Sequence, residues 1–141
     1  MPRKARERSA TGCYHIMGRG INHAAIYNDD ADNMNFLHIL DFCADEDFTI
    51  FAYCLMGNHF HLLAKADADV LQHVMKAVGI RYVAYFNRRY QRDGPLFRGR
   101  YNSQPVTTKG YFLRVLRYIH RNPVAAGIVQ EMQDYPWSSY L

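Results

Sequence analysis

From Cys13 the chain reads CYHIM, an apolar–polar alternation suited to a strand, and Gly18-Arg19-Gly20 closes it. NDDADNMNFLHILDFCADED follows, where Asp29 or Asp30 caps a helix whose apolar stripe is Met34, Leu37 and Leu40, extended by Cys43. Thr49 to Met56, TIFAYCLM, is β-branched and aromatic and reads as a strand. Gly57-Asn58 turns the chain, and HFHLLAKA returns as its hairpin partner. From Asp69 to Tyr90 the spacing of Val70, Val74, Val78, Tyr82 and Tyr85 is helical. RDGP breaks that helix, RYNSQPV predicts a fourth strand, and a last helix runs from about Lys109 to Arg121, stopped by Pro123. The order β-α-β-β-α-β plus a helix predicts an α+β fold. It is the ferredoxin-like split βαβ sandwich, an antiparallel sheet with helices on one face and an added C-terminal helix.

Neither repeats nor a low-complexity linker divide the 141 residues, so one domain is expected, with residues 1–11 as a basic, flexible tail. No apolar run approaches a membrane helix, and MPRKARERSA lacks the apolar core of a signal peptide. No membrane partner and a cytoplasmic location are the expectations. Cys13, Cys43 and Cys54 are odd in number and lack CxxC spacing, which reads as free thiols.

Charge changes this picture through its distribution. Between Asp29 and Asp69 there are nine acids and one base, whereas between Lys76 and Arg121 there are eleven bases and one acid, Asp93. Nine of those eleven bases are arginine, the better fork for phosphate. A polyanion partner for the second half follows. Tyr82, Tyr85, Phe86, Tyr90, Phe97 and Tyr101 are interleaved with the arginines, and such rings stack exposed bases. A solvated basic surface explains the charge equally well, but not the aromatics.

Candidate chemistry starts at LMGNHFHLL, where His59 and His61 sit one residue apart in an apolar run. In a strand, residues i and i+2 share a face, so both imidazoles project together while Phe60 turns into the core. Two neutral imidazoles can hold one metal ion and leave most of its coordination sphere open. An isolated H-x-H is as well explained by two surface histidines. The last helix, YFLRVLRYIHRNP, strengthens the metal reading. At about 100° per residue, Phe112, Val115, Leu116 and Ile119 form a packing face, and Arg114, Arg117 and Arg121 group on another side. Tyr111, Tyr118 and Asn122 fall on the border between them, with Tyr118 and Asn122 stacked at i and i+4. A half-buried tyrosine with a wet hydroxyl is the plainer account of Tyr118.

AYCLMGNHFHLL resembles the metal motif of the HUH single-strand nucleases. YHIMGRGINHAAIYNDDAD, FNRRYQRDGPLFRGRYNS, LRYIHRNPVAAGIV and DYPWSSY together resemble one branch of them, from about Cys13 to Tyr140. That branch is the single-tyrosine transposases of bacterial insertion sequences and the related REP-associated tyrosine transposases. The resemblance implies a metal-dependent transposase, with Mg²⁺ or Mn²⁺ on His59 and His61. It implies Asn122 as third ligand, Tyr118 as nucleophile and a 5′-phosphotyrosine intermediate. Arg98, Arg100, Arg114, Arg117 and Arg121 are the candidates for single-stranded or hairpin DNA. Where the family reads RGN, this chain reads RGIN at Arg19 to Asn22, a departure bearing on DNA contacts of that turn. His15 is expected to line the sheet and His120 to lie on the surface about opposite Tyr118. Some relatives exchange the tyrosine helix across a homodimer, and others act alone. The alternatives are a rolling-circle replication type of HUH nuclease and a non-catalytic ferredoxin-like module binding single-stranded DNA or RNA.

Overall fold

A computed structural model describes residues 5–140. Its elements are β1 (Cys13–Arg19), α1 (Asp30–Cys43), β2 (Thr49–Leu55), β3 (His59–Lys65), α2 (Ala68–Tyr90), β4 (Asn102–Pro105) and α3 (Lys109–Ala125). The strands lie in the order β2-β3-β1-β4, and every neighbouring pair is antiparallel. With β3 between β1 and β2, this is the ferredoxin-like split βαβ sheet that the pattern predicts.

Opposed residues of an antiparallel ladder share a face. In β1·β3, Ile16 opposes Leu62 and Gly18 opposes Phe60. These point at α1 and α2, joining Phe36, Val78 and Tyr82 in the main core. Gly18 is required there, because a Cβ on it would stand 2.5 Å from the Phe60 ring. The intervening pairs, Met17 with His61 and Arg19 with His59, point at the other face. There α3 buries Val115 and Ile119 against Ala52, Cys54 and Leu63 of β2 and β3.

Two expectations about packing are corrected. The inward face of α1 is Asp32, Asn33, Phe36 and Leu40, not the stripe through Met34, which is 44% exposed. Leu37 and Cys43 pack only at the margin of the core. The first turn of α1 is fixed by polar contacts, and these set its rotation. The buried Asp32 carboxylate accepts from Tyr85 Oη at 2.8 Å, Tyr90 Oη at 2.5 Å, Arg89 Nη1 at 2.6 Å and the Asn28 N–H at 2.9 Å. Tyr82 and Phe86 lie in the core, and Phe97 rests against Phe60. The guanidinium of Arg6 lies 3.8 Å above the Tyr101 ring. Of the six interleaved aromatics, Tyr82 and Phe86 are therefore committed to the core and Tyr85 and Tyr90 to Asp32, while Phe97 and Tyr101 line a cavity beside Arg98 and Arg100.

Burial by itself would raise the Asp32 carboxyl. The hydrogen bonds from Tyr90, Asn28, Tyr85 and Arg89 outweigh it and hold the group below the ordinary carboxylate range. A folded-state value below the unfolded one stabilises the protein at neutral pH, and that contribution is lost as pH falls through the lowered value. Asp32→Ala is expected to cost about 3 kcal/mol in urea unfolding at pH 7, because it strands three donors and a guanidinium. The gap to wild type should narrow in acid. Equal urea midpoints at pH 7 would refute the assignment.

The β2 edge is covered, and the described parts of both terminal segments lie against the body. The segment after α3 pairs with the β2 edge: Leu55 N–H donates to Trp137 O at 2.8 Å and Ser139 N–H to Tyr53 O at 3.0 Å. His120 hydrogen-bonds Ser139 Oγ at 2.9 Å, so it ties α3 to that segment and is not merely on the surface. Of the basic tail, residues 5–11 lie against the body through Arg6 Nη2 to Tyr101 O at 3.1 Å and Ser9 N–H to Tyr14 Oη at 2.9 Å. Residues 1–4 lie outside the described residues. Pro123 does not stop α3 as expected. The helix continues to Ala125, because a proline in the final turn removes only one ladder bond. Cys13, Cys43 and Cys54 are free thiols. No helix among the described residues is long and apolar enough to cross a membrane.

Candidate active site

β3 starts at His59 directly after the Gly57-Asn58 turn, so its first and third residues share the α3 face of the sheet. The His59 and His61 rings lie 5.1 Å apart between centroids and are nearly perpendicular. Thr108 caps α3 by accepting the Tyr111 N–H at 3.1 Å, and burial of Val115 and Ile119 fixes the helix's rotation. That rotation brings the Tyr118 ring to 5.4 Å from His61 and 6.0 Å from His15. Tyr118 and His61 both line an open cleft of about 290 Å³, with Met17, Arg19, His23, Asn58 and His59, while His15 stands behind His61.

The imidazoles are held neutral. His61 is 2% exposed, and burial, then the neighbouring His15, His59 and Arg19, push its pKa down to about 3. Burial and Arg19 also lower His59. Each ring has its Nδ1 engaged: His61 with His15 Nε2 at 3.0 Å, and His59 with Asn58 Oδ1 at 2.7 Å. Tyr118, by contrast, is 54% exposed.

The remaining sequence-predicted residues divide among three places. Asn122 stands one turn beyond Tyr118 and does not line the histidine cleft. It lines the adjoining groove, shared with Arg114, Arg117, Tyr118 and Arg121. Tyr118 is the residue common to both. Arg98 and Arg100 belong to neither, and line a cavity of about 380 Å³ on the α2 side of the sheet with Lys76, Phe60 and Phe97. Tyr111, on the same helical line as Tyr118, instead reaches Gln104 Oε1 at 3.4 Å. Among the described residues, no cluster of three or more His, Cys, Asp and Glu converges on a possible ion.

Arg19, His23 and Asn58 were not singled out from the sequence as residues of the cleft. Arg19 enters because β1 register sets it opposite His59. His23 enters through the RGIN turn, where Asn22 and His23 both take the left-handed conformation at φ 53° and 58°. Gly20 makes that turn possible, since a Cβ there would stand 2.1 Å from Ala24 O. The extra residue relative to RGN is thus absorbed in a left-handed turn at Ile21–His23. The alternation of His15, Met17 and Arg19 in CYHIMGR was the available signal for His15 and Arg19.

Residues 9–122 match the family model described as Transposase IS200 like. The chain belongs to that transposase family. The matched span contains β1, the histidine strand and α3 as far as Asn122. Among solved structures, the chain superposes on a REP-associated tyrosine transposase bound to a REP hairpin, with a TM-score of 0.75 and 16% identity. That alignment covers 99% of this chain and 83% of that one. A candidate transposase from Deinococcus radiodurans R1 aligns with a TM-score of 0.52 and 20% identity, over 85% of this chain and 97% of that one. At such identities both likenesses establish the shared fold. None of the curated proteins matches.

Proposed function

We propose that this transposase cuts and rejoins single-stranded or hairpin DNA through a covalent 5′-phosphotyrosine on Tyr118, with a divalent ion on His59 and His61. The observation carrying the proposal is the Tyr118 ring 5.4 Å from His61, beside it in the lining of one open cleft. The donor set can hold a divalent ion: two imidazoles on one face, each with Nδ1 already engaged and Nε2 left over, borderline donors whose ion would complete its shell with oxygens from water, Asn122 and phosphate. Asn122 is the third donor proposed, from the groove that begins at Tyr118. Mg²⁺ or Mn²⁺ bound there supplies Lewis acidity, drawing charge from a non-bridging oxygen of the scissile phosphate.

The rest of the chemistry falls to the chain itself. The Tyr118 phenol oxygen attacks phosphorus, the P–O3′ bond breaks, and the proton lost by the phenol is balanced by the one taken up as the 3′-OH forms. One phosphodiester is exchanged for another, so a second 3′-OH can reverse the step without ATP. Arg19 sits over the cleft, and Arg114, Arg117 and Arg121 follow the groove leading from Tyr118, both suited to phosphate charge. The REP-associated relative was solved with a REP hairpin, which supports hairpin DNA as the substrate class here. Arg98 and Arg100, away from the cleft, suit a more distant part of the same nucleic acid. Action on DNA suits the expected cytoplasmic location. The enzymatic reading is preferred to the non-catalytic module because Tyr118 meets the histidine pair, whereas Tyr82 and Phe86, two of the aromatics that suggested base stacking, are buried in the core.

Incubation with a labelled single-stranded hairpin oligonucleotide and Mn²⁺ is expected to give an SDS-resistant protein–DNA adduct, abolished by EDTA. Binding without any adduct, unaffected by EDTA, would sink the enzymatic reading. Because α3 packs on its own sheet, we further propose that catalysis runs in cis. Mixing Tyr118→Phe with His59→Ala protein should then restore no cleavage. Recovery toward a quarter of wild-type activity would instead indicate a homodimer exchanging α3.

A further inference from the structure

We propose that His15 is a positioning residue that accepts the Nδ1 proton of His61 and so fixes the tautomer whose Nε2 lone pair faces the cleft. The inference rests on the reading that His61 holds a divalent ion. His15 stands on β1 two residues before Met17, and Met17 opposes His61 in the ladder. The two imidazoles are therefore diagonal neighbours on one sheet face. Their ring centroids lie 5.2 Å apart with 27° between planes, and His15 Nε2 is 3.0 Å from His61 Nδ1.

One proton lies between those two nitrogens, and its owner decides what His61 can do. If His15 supplies it, His61 carries its own proton at Nε2 and has no lone pair for a cation. If His61 supplies it, Nε2 is bare and the ring is a ligand. A hydrogen bond between two imidazoles holds one proton, so the ring that donates it and the ring that accepts it are fixed together. Asn58 makes the parallel choice for His59, because its Oδ1, 2.7 Å from Nδ1, is an acceptor. Both rings of the pair are thus oriented by a neighbour on the side away from the ligand position. The same hydrogen bond explains why three histidines are grouped here without forming a three-histidine site. The Nε2 of His15 is committed to His61. A merely structural contact, satisfying two buried imidazoles, would be indifferent to which ring owns the proton.

Nitrogen-15 spectra of the imidazoles in metal-free protein test the assignment before any ion is present. His61 is expected with its proton at Nδ1 in wild type, and with it at Nε2 in a substantial fraction of His15→Phe, which keeps the ring volume but offers no acceptor. Mn²⁺ affinity, followed by EPR, should fall roughly 10–100-fold in His15→Phe and recover in part in His15→Gln, whose amide oxygen can accept. The thermal midpoints of both variants serve to confirm that they fold. An Nε2 proton on His61 in wild type, or equal Mn²⁺ affinity in wild type and a folded His15→Phe, overturns the proposal. Wild type that holds the Nδ1 proton yet takes up no Mn²⁺ overturns the metal reading and leaves the tautomer assignment standing.

Discussion

Tyr118→Phe is expected to abolish covalent adduct formation and to lower cleavage of a hairpin substrate by about 10⁴-fold or more, with binding retained. The size follows from the role: a nucleophile cannot be replaced by better positioning of the same groups, and losing one member of a reacting set costs nearly all of its effect. Phenylalanine keeps the ring that lies 5.4 Å from His61 and 6.0 Å from His15, so the wall of the cleft remains. Tyr118 is 54% exposed and makes no part of the α3 packing face, so the variant should unfold like wild type. Tyr111 is the control. Its hydroxyl reaches Gln104 and not the histidines, so Tyr111→Phe should form adduct normally. Adduct that survives Tyr118→Phe and disappears in Tyr111→Phe would move the nucleophile one position along the helical line.

His59→Ala should reduce metal-dependent cleavage on the order of 10²–10³-fold and weaken Mn²⁺ binding. Lewis-acid stabilisation of a scissile phosphate amounts to several kcal/mol, and each 1.4 kcal/mol is about tenfold in rate. His59 is the cleaner of the pair to remove. His61 is buried, and alanine there would leave a cavity beneath the cleft, mixing a packing cost with a ligand cost. Affinity for the hairpin in EDTA should hold, since arginines along α3 carry the phosphate charge, and it should fall steeply with added salt. Cleavage by His59→Ala at the wild-type rate, with the same Mn²⁺ dependence, would remove the histidine pair from the reaction.

Strand and helix periodicities were enough to order the elements and to name the fold, because period 2 and period 3.6 report which side of an element is apolar. They failed where polar contacts, not apolar ones, set an element's rotation. In α1 the Asp32 carboxylate, an acid that a stripe argument puts in water, is the anchor for Tyr85, Tyr90 and Arg89. The aromatics of α2 were misread for the same reason. Composition places rings among arginines, but it cannot say that Tyr82 and Phe86 face the sheet while arginines on the same helix face out.

The sequence by itself determined what can be decided within one element or by a run of local motif. His59 and His61 share a face because strand geometry allows nothing else. Tyr118, Asn122 and the three arginines of α3 are ordered around the helix by its turn angle. Only the tertiary structure decided what depends on register and docking between distant segments. Strand pairing set His15 diagonal to His61 and Arg19 opposite His59. Packing of Val115 and Ile119 turned Tyr118 toward the histidines, and placed Asn122 in the neighbouring groove. The turn at Ile21–His23 delivered His23, and the segment before β4 put Arg98 and Arg100 in a second cavity that shares Arg19 with the cleft. These are contacts between side chains tens of residues apart, fixed by which apolar surfaces bury each other, and no local spacing encodes them.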